Sequence, residues 1–395
     1  MKLNDIAYFV EDKISSENIK LDQYVTTDSL LQNKKGRTFA QNLPPQKCSL
    51  VHFKKGDVLL GNIRPYLKKI WYANIEGGCS QDVLVLRAKN NLESKFLYAL
   101  LMQDSFFDYE MKATKGSKMP RGDKSHIINF PCLDLNNKTE IGKLLSSLDD
   151  KIALNNRINA KLEQMAKRLY DYWFAQFDFP NADGKPYKST GGKMVWNETL
   201  KREIPEGWEV GNLYDIAEYV NGLACQNYRP KESEKSLPVI KIREMNEGIT
   251  ADTEKVSASI PGKYRIYAGD ILFSWSASLE IKIWTGETGG LNQHIFKVIP
   301  KGYFSKGYVY QQLSAYLVNF QKMAESRKTT MGHITSDHIK QSRILIPLKE
   351  IISAFNEKTF SIFNYQLSIE KETQKLTALR DRLLPLLMNG QVVVE

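Results

Sequence analysis

Cysteine and histidine are scarce in this chain, four and five among 395 residues, and neither is arranged for chemistry. Cys48, Cys79, Cys132 and Cys225 are scattered without a Cys-x-x-Cys pair. They read as reduced thiols of a cytoplasmic protein and exclude a disulfide frame. His52, His126, His294, His333 and His338 are equally dispersed; His333 and His338 stand five apart, the wrong spacing for two ligands on one helix face. No metal site is expected. Apolar runs of membrane-spanning length are missing, and charge interrupts the opening MKLNDIAYFVEDK too early for a signal peptide. The chain also lacks G-x-x-x-x-G-K-S/T, a G-x-G-x-x-G after a strand, a Gly-x-Ser-x-Gly elbow and an Asn/Asp-Pro-Pro-aromatic tetrapeptide. No pair of carboxylates stands out as an acid/base couple, so no catalytic residue is assigned.

What is present is an ordinary globular composition, 42% hydrophobic and 25% charged, with a formal charge of +10. The length calls for two or three domains. The basic excess favours an acidic partner, nucleic acid above all.

The sequence repeats itself. Residues 3–10, LNDIAYFV, recur as residues 213–220, LYDIAEYV. Residues 54–71, KKGDVLLGNIRPYLKKIW, align with residues 267–284, YAGDILFSWSASLEIKIW. Gly77-Gly78 followed by Ser80-Gln81 matches Gly289-Gly290 followed by Asn292-Gln293, and His126-Ile127 falls on His338-Ile339. Each copy mixes strand-like and helix-like segments and reads as an α+β domain of roughly 130–140 residues.

A long helical run follows each copy. In residues 139–177, Ile141, Leu148, Asn155, Leu162 and Leu169 recur every seven residues, with no Pro or Gly from 143 to 177. Leu144, Lys151, Ile158, Met165 and Tyr172 form the expected second stripe, three residues on. Asn137 with Glu140 reads as a capping-box start, and the helix would be roughly 55–60 Å long. Residues 349–388 carry Phe355, Ile362, Ile369, Leu376 and Leu383, each 214 residues beyond its counterpart. The second stripe there is Lys358, Tyr365, Glu372, Leu379 and Leu386. Two matched runs predict a paired coiled coil, with Asn155, Lys151 and Glu372 setting its register.

Two segments look suited to phosphate. Residues 113–127 hold Lys115, Ser117, Lys118, Arg121 and Lys124 among glycines, and residues 326–339 hold Arg327, Lys328, Thr329, Thr330 and His333. Small residues let backbone N–H groups approach an anion, and the cations neutralise it. Asn62, Arg64, Tyr66 and Lys68 follow the first Gly-Asp strand, as Ser274 and Ser276 follow the second. With Ser80, Gln81, Asn292, Gln293 and His294, these are side chains of the kinds used on base edges and backbone. The frames match while the side chains differ, which suits reading two different sequences.

In these residues the chain resembles the DNA-specificity subunit of type I restriction–modification enzymes. The likeness lies in LLSSLDDKIALNNRINAKLEQMAKRLYDYWFAQFDF, GKPYKSTGGKMVWNETLKREIPEGWE and LTALRDRLLPLLMNGQV, and in the Gly-Asp strands and paired glycines. It implies two homologous target-recognition domains, each a mixed β-sheet with helices, reading half of a bipartite double-stranded DNA site. A long antiparallel two-helix coiled coil would separate them in a pseudo-twofold internal repeat. Two methyltransferase (modification) subunits would dock on the helices, at a face including Asp149, Asp150, Arg157, Lys161 and Arg168. Restriction/translocase subunits would complete the complex, with S-adenosylmethionine, ATP and magnesium used by the partners and no cofactor in this chain.

The expected boundaries are 1–137 for the first domain, 138–178 for the central helix and 179–208 for a connector. Residues 209–348 form the second domain, and 349–395 the C-terminal helix and tail. Met1 aligns near Gly211, so copy one lacks a counterpart of residues 204–210; the closing GQVVVE is the expected neighbour of that gap. Two other readings are a stand-alone nuclease or methyltransferase fusion, against which the missing motifs speak, and a purely structural coiled-coil adaptor.

Overall fold

The Gly-Asp strands sit at the middle of two matching sheets. The computed structural model describes residues 1–116, 118–276, 278–326 and 334–394. It divides into two compact units, Met1–Leu154 with Gln374–Glu395, and Asn155–Thr373. Each long helix contributes one stretch to each unit.

In the first unit, Ala7–Phe9, Val83–Ala88, Val58–Gly61 and Ile70–Tyr72 lie side by side in that order, all antiparallel. Val58, Leu60, Leu84 and Leu86 pack on one face against Phe96, Leu100 and Phe106 of the following helices and against Ile141, Leu145, Leu384 and Leu387 of the long ones. Leu59, Val83 and Val85 fill the other face, with Phe53, Trp71 and Cys79. Burial on both faces explains why these strands read as unbroken apolar runs. The Gly-Asp pair is structural: Gly56 turns at φ 96°, and the Asp57 carboxylate accepts from Arg87 Nε and Nη2 at 2.7 and 2.8 Å.

The second unit repeats this sheet with Ala217–Asn221, Ile295–Pro300, Ile271–Ser274 and Glu280–Ile283. Ile271, Phe273, Phe296 and Val298 pack with Tyr308, Phe320 and Phe355, while Leu272 and Ile295 join Ile240, Trp284 and Leu291. The smaller second sheets diverge. Around the paired glycines, the first unit orders Lys13–Ser15, Ser49–Phe53, Gly77–Cys79, Tyr24–Val25, its outer strand beside the antiparallel neighbour. The second unit orders Lys255–Ser257, Ser236–Ile240, Gly289–Leu291, Arg265–Ile266, its outer strand beside the parallel neighbour. Here the two copies differ in topology as well as in sequence.

The first long helix runs Lys138–Tyr170 and ends in a wider π-helical turn, Asp171–Ala175, where the Gln176 N–H reaches the Asp171 carbonyl at 2.9 Å. The second runs Lys349–Met388 and continues through Pro385. Ile141, Asn155, Phe355 and Ile369 are buried, and Leu148, Leu162, Leu169, Ile362, Leu376 and Leu383 are half-buried. Of the expected second stripe, Leu144, Lys151, Ile158, Glu372 and Leu386 are half-buried, and the remaining positions are corrected. Met165 and Tyr172 are 55% and 37% exposed, and Tyr365 and Leu379 are 50% and 46% exposed. The buried partners lie four residues on instead, at Leu145, Ala166 and Trp173 and at Thr359, Thr373 and Leu387. Small and hydroxylic residues at three of these positions, Ala166, Thr359 and Thr373, hid the stripe. Thr359 and Thr373 satisfy their hydroxyls on the Phe355 and Ile369 carbonyls, both at 2.8 Å.

Polar pairs cross between the helices. In the second unit Asn155 Nδ2 donates to Glu372 Oε2 at 2.8 Å and Asn159 Nδ2 to Glu370 Oε2 at 3.1 Å, an antiparallel register. In the first, Arg380 Nη1 donates to Asp149 Oδ1 at 2.9 Å. Asp149 therefore leaves the outward face assigned to it, because its charge is held across the seam. The Asn137 side chain also departs from its capping role: its Nδ2 donates to the Val394 carbonyl at 3.1 Å. Val394 packs on the first unit's core, and the Met1 N–H and carbonyl bond Cys132.

Candidate nucleic-acid interface

Three segments of the first unit converge beyond the Gly-Asp strand. The Asn62 N–H donates to the Asp82 carbonyl at 2.9 Å, just past Ser80 and Gln81. Gly122 N–H donates to the Asn62 carbonyl at 3.1 Å, and Arg64 N–H to the Pro120 carbonyl at 2.8 Å. Lys115 and Arg121 exchange backbone hydrogen bonds at 3.0 Å, closing the basic loop on itself. Asn62, Arg64, Ser80, Gln81, Lys115 and Arg121, scattered in sequence, thus share one surface.

Arg64 and Lys68 flank the short turn Pro65–Leu67, both left-handed, at φ 54° and 50°. Non-glycine residues in that region cost about 1 kcal/mol or more each. Arg64 is held by its bond to Pro120, and Lys68 by its N–H donating to the Pro65 carbonyl at 2.8 Å and its carbonyl accepting the Lys34 N–H at 2.9 Å. Tyr66 stands exposed between them, 50% accessible.

Acids missed in the sequence reading temper the cations. Arg121 pairs with Asp82 at 3.2 Å, Lys115 with Asp123 at 2.8 Å, and Lys68 with Asp104 at 2.7 Å, where Lys34 joins at 2.8 Å. Burial works to raise the Asp104 carboxyl, and the two ammonium groups more than offset it. Asp123 is held far below the usual range by Lys115, the Ser125 hydroxyl and backbone N–H groups. Lys124 lies 5.6 Å over the Phe9 ring. Arg64 and Lys118 have no acidic partner among the described residues. Exposed pairs of this kind are weak and exchange readily for phosphate.

The second unit assembles the matching segments with a different lining. Trp275 N–H donates to the His294 carbonyl at 3.2 Å, Ile334 N–H to the Trp275 carbonyl at 3.0 Å, and Trp275 Nε1 to Asn221 Oδ1 at 3.1 Å. The rings of Trp275 and His294 lie 5.4 Å apart. Several predicted side chains are turned inward. Ser274 is fully buried; its hydroxyl donates to the Ser278 carbonyl and accepts from the Glu280 N–H at 3.0 Å, closing the hairpin. Ser276 and Asn292 are buried, and Asn292 Oδ1 accepts from the His294 N–H at 3.3 Å. Gln293 Nε2 lies 3.3 Å from His294 Nε2. Gly222 is required here, since any Cβ would collide with the Asn292 carbonyl. Asn221 escaped the sequence reading, and only its place opposite Trp275 marks it. Ser117, Arg327, Lys328, Thr329, Thr330 and His333 lie outside the described residues.

Among the described residues no three His, Cys, Asp or Glu side chains are grouped to hold a metal ion, and no helix is long and apolar enough to cross a membrane. Comparison with known proteins points one way. The sequence profile of the type I restriction modification DNA specificity domain matches residues 1–164 and again 205–379. The HindI specificity subunit of Haemophilus influenzae is 26% identical, over 93% of this chain and 94% of that protein. The MjaIX specificity subunit of Methanocaldococcus jannaschii is 25% identical, over 89% and 81%. In fold, the chain is similar to the crystal structure of a type I restriction-modification S subunit from M. genitalium, with a TM-score of 0.55 and 14% identity over 97% of this chain and 94% of that one.

Proposed function

Because the chain belongs to the type I restriction–modification DNA specificity family, we propose that each of its two repeats reads one half of a bipartite DNA target. The observation that carries this reading is the convergence, in both units, of the segment after the Gly-Asp strand with the segment after the paired glycines. The frame of the main sheet is shared, while the side chains on it and the topology of the second sheet differ, as two different half-sites demand. Exposed cations such as Arg64 position the duplex on phosphate, and residues such as Gln81 and Gln293 specify bases.

The long helices act as the spacer between half-sites and as the seat of two methyltransferase subunits. Leu154, Met165 and Tyr172 on the first, and Phe360, Tyr365 and Leu379 on the second, keep large apolar surface exposed, which favours a protein partner. Methyl transfer and cleavage belong to partner subunits, with S-adenosylmethionine, ATP and magnesium bound there. Exchanging residues 1–135 for those of another family member, followed by methylome sequencing, tests the assignment. One half-site changes and the other stays; a change in both would overturn it. The purified chain with DNA, magnesium and methyl donor gives no turnover, and turnover would favour an enzyme in its own right.

A further inference from the structure

A carboxyl group without a partner lies beneath the first basic loop. Glu110, on the helix Asp104–Lys112, is 0% exposed, and neither carboxyl oxygen meets a hydrogen-bond donor. Asn62 Oδ1 is likewise buried without a donor. The two groups meet at Gly122: a Cβ built there would lie 2.6 Å from Glu110 Oε1 and 2.9 Å from Asn62 Oδ1. Two acceptor oxygens, Glu110 Oε1 and Asn62 Oδ1, therefore crowd the same point with no donor between them. An ionised carboxylate in such a place is strongly disfavoured, and one added proton removes the charge and lets Glu110 donate to Asn62 Oδ1, giving that oxygen its missing donor.

We propose that Glu110 is a positioning residue of the first recognition loop, its protonated carboxyl donating to Asn62 Oδ1 and so fixing Asn62 and Gly122 in the DNA-binding arrangement. This rests on the DNA-reading role of that loop. The loop hangs from this point, since the Asn62 carbonyl accepts the Gly122 N–H and Arg121 and Lys115 close the loop beside it. Burial pushes the Glu110 carboxyl up to about 8, which keeps the proton in place at neutral pH.

The charged groups on the packed elements are engaged elsewhere, with Arg64 and Lys118 the exceptions among the described residues. Arg121 turns to Asp82, Lys115 to Asp123, Lys124 to the Phe9 ring, and His126 Nε2 to the Tyr109 carbonyl at 3.1 Å, its ring stacked on Tyr109. Gly122 leaves room for the contact, and no other residue does.

The test uses the full chain and a duplex carrying the target mapped by methylation sequencing, at constant ionic strength. For the wild type, Kd at pH 9 is about tenfold weaker than at pH 7, as the protonated fraction falls by that factor across a titration near 8. For E110Q the ratio stays near one, because an amide donor does not titrate. Infrared difference spectra show a protonated carboxyl at pH 7 in the wild type that is missing from E110Q. Parallel loss of affinity in both proteins, or no protonated carboxyl at pH 7, overturns the proposal. If the wild type binds no DNA at pH 7, the DNA-reading role fails, and the infrared band still decides where the proton is.

Discussion

Replacing Glu110 by Gln keeps the shape of the side chain and removes its charge, and the consequence for stability is set by pH. Outside the fold the carboxyl titrates at its ordinary value of 4.5; inside, burial pushes it up to about 8. Below pH 4.5 the group is neutral folded and unfolded, and it makes no difference. As pH rises from 4.5 to 8 the unfolded chain releases a proton that the folded chain keeps. Stability is then lost at about 1.36 kcal/mol per pH unit. At pH 7 the loss is about 3 kcal/mol, and it levels off near about 5 kcal/mol above pH 8. Gln carries no such loss. Glu110→Gln should therefore slow the opening of the first unit roughly a hundredfold at pH 7 and leave it unchanged at pH 4. Hydrogen exchange of peptides spanning residues 104–127, read by mass spectrometry at both pH values, measures this. A gain of equal size at pH 4 and pH 7, or a loss at pH 7, would refute the reasoning.

Three further substitutions probe other parts of the molecule. Arg64→Gly removes a left-handed side-chain residue and should raise the stability of the first unit by about 1 kcal/mol, while lowering the salt dependence of DNA binding by about one phosphate contact. Melting curves and a salt titration separate the two effects. Asn155→Leu and Glu372→Leu should each destabilise, and the double-mutant cycle should return a coupling of about 1–2 kcal/mol; a coupling near zero would mean that the crossing bond contributes nothing. Gly222→Ala, which forces a methyl group into the Asn292 carbonyl, should cost the second unit about 2–4 kcal/mol in urea unfolding. Silence there would contradict the close approach.

The duplication, the two long helices and the unbroken apolar strands follow from the chain alone. Local periodicity is written in sequence, and a sheet covered on both faces needs apolar residues at every position, as in Val83–Leu86. Family and DNA reading were legible too, in the constant segments around the helices and in the +10 charge. The second seam stripe was only partly legible, because Thr359, Thr373 and Ala166 are buried by the geometry of the pair and not by their own polarity. The inward turn of Ser274 was not legible, nor was the pairing of Arg121 with Asp82 and Lys68 with Asp104. The ion pairs join residues far apart in the chain, the Ser274 contact depends on how its hairpin closes, and a side chain's polarity does not say which way it points. Glu110 makes the same point most sharply: in sequence it is one of many surface-type acids, and only the packing of helix, strand end and loop deprives it of every partner.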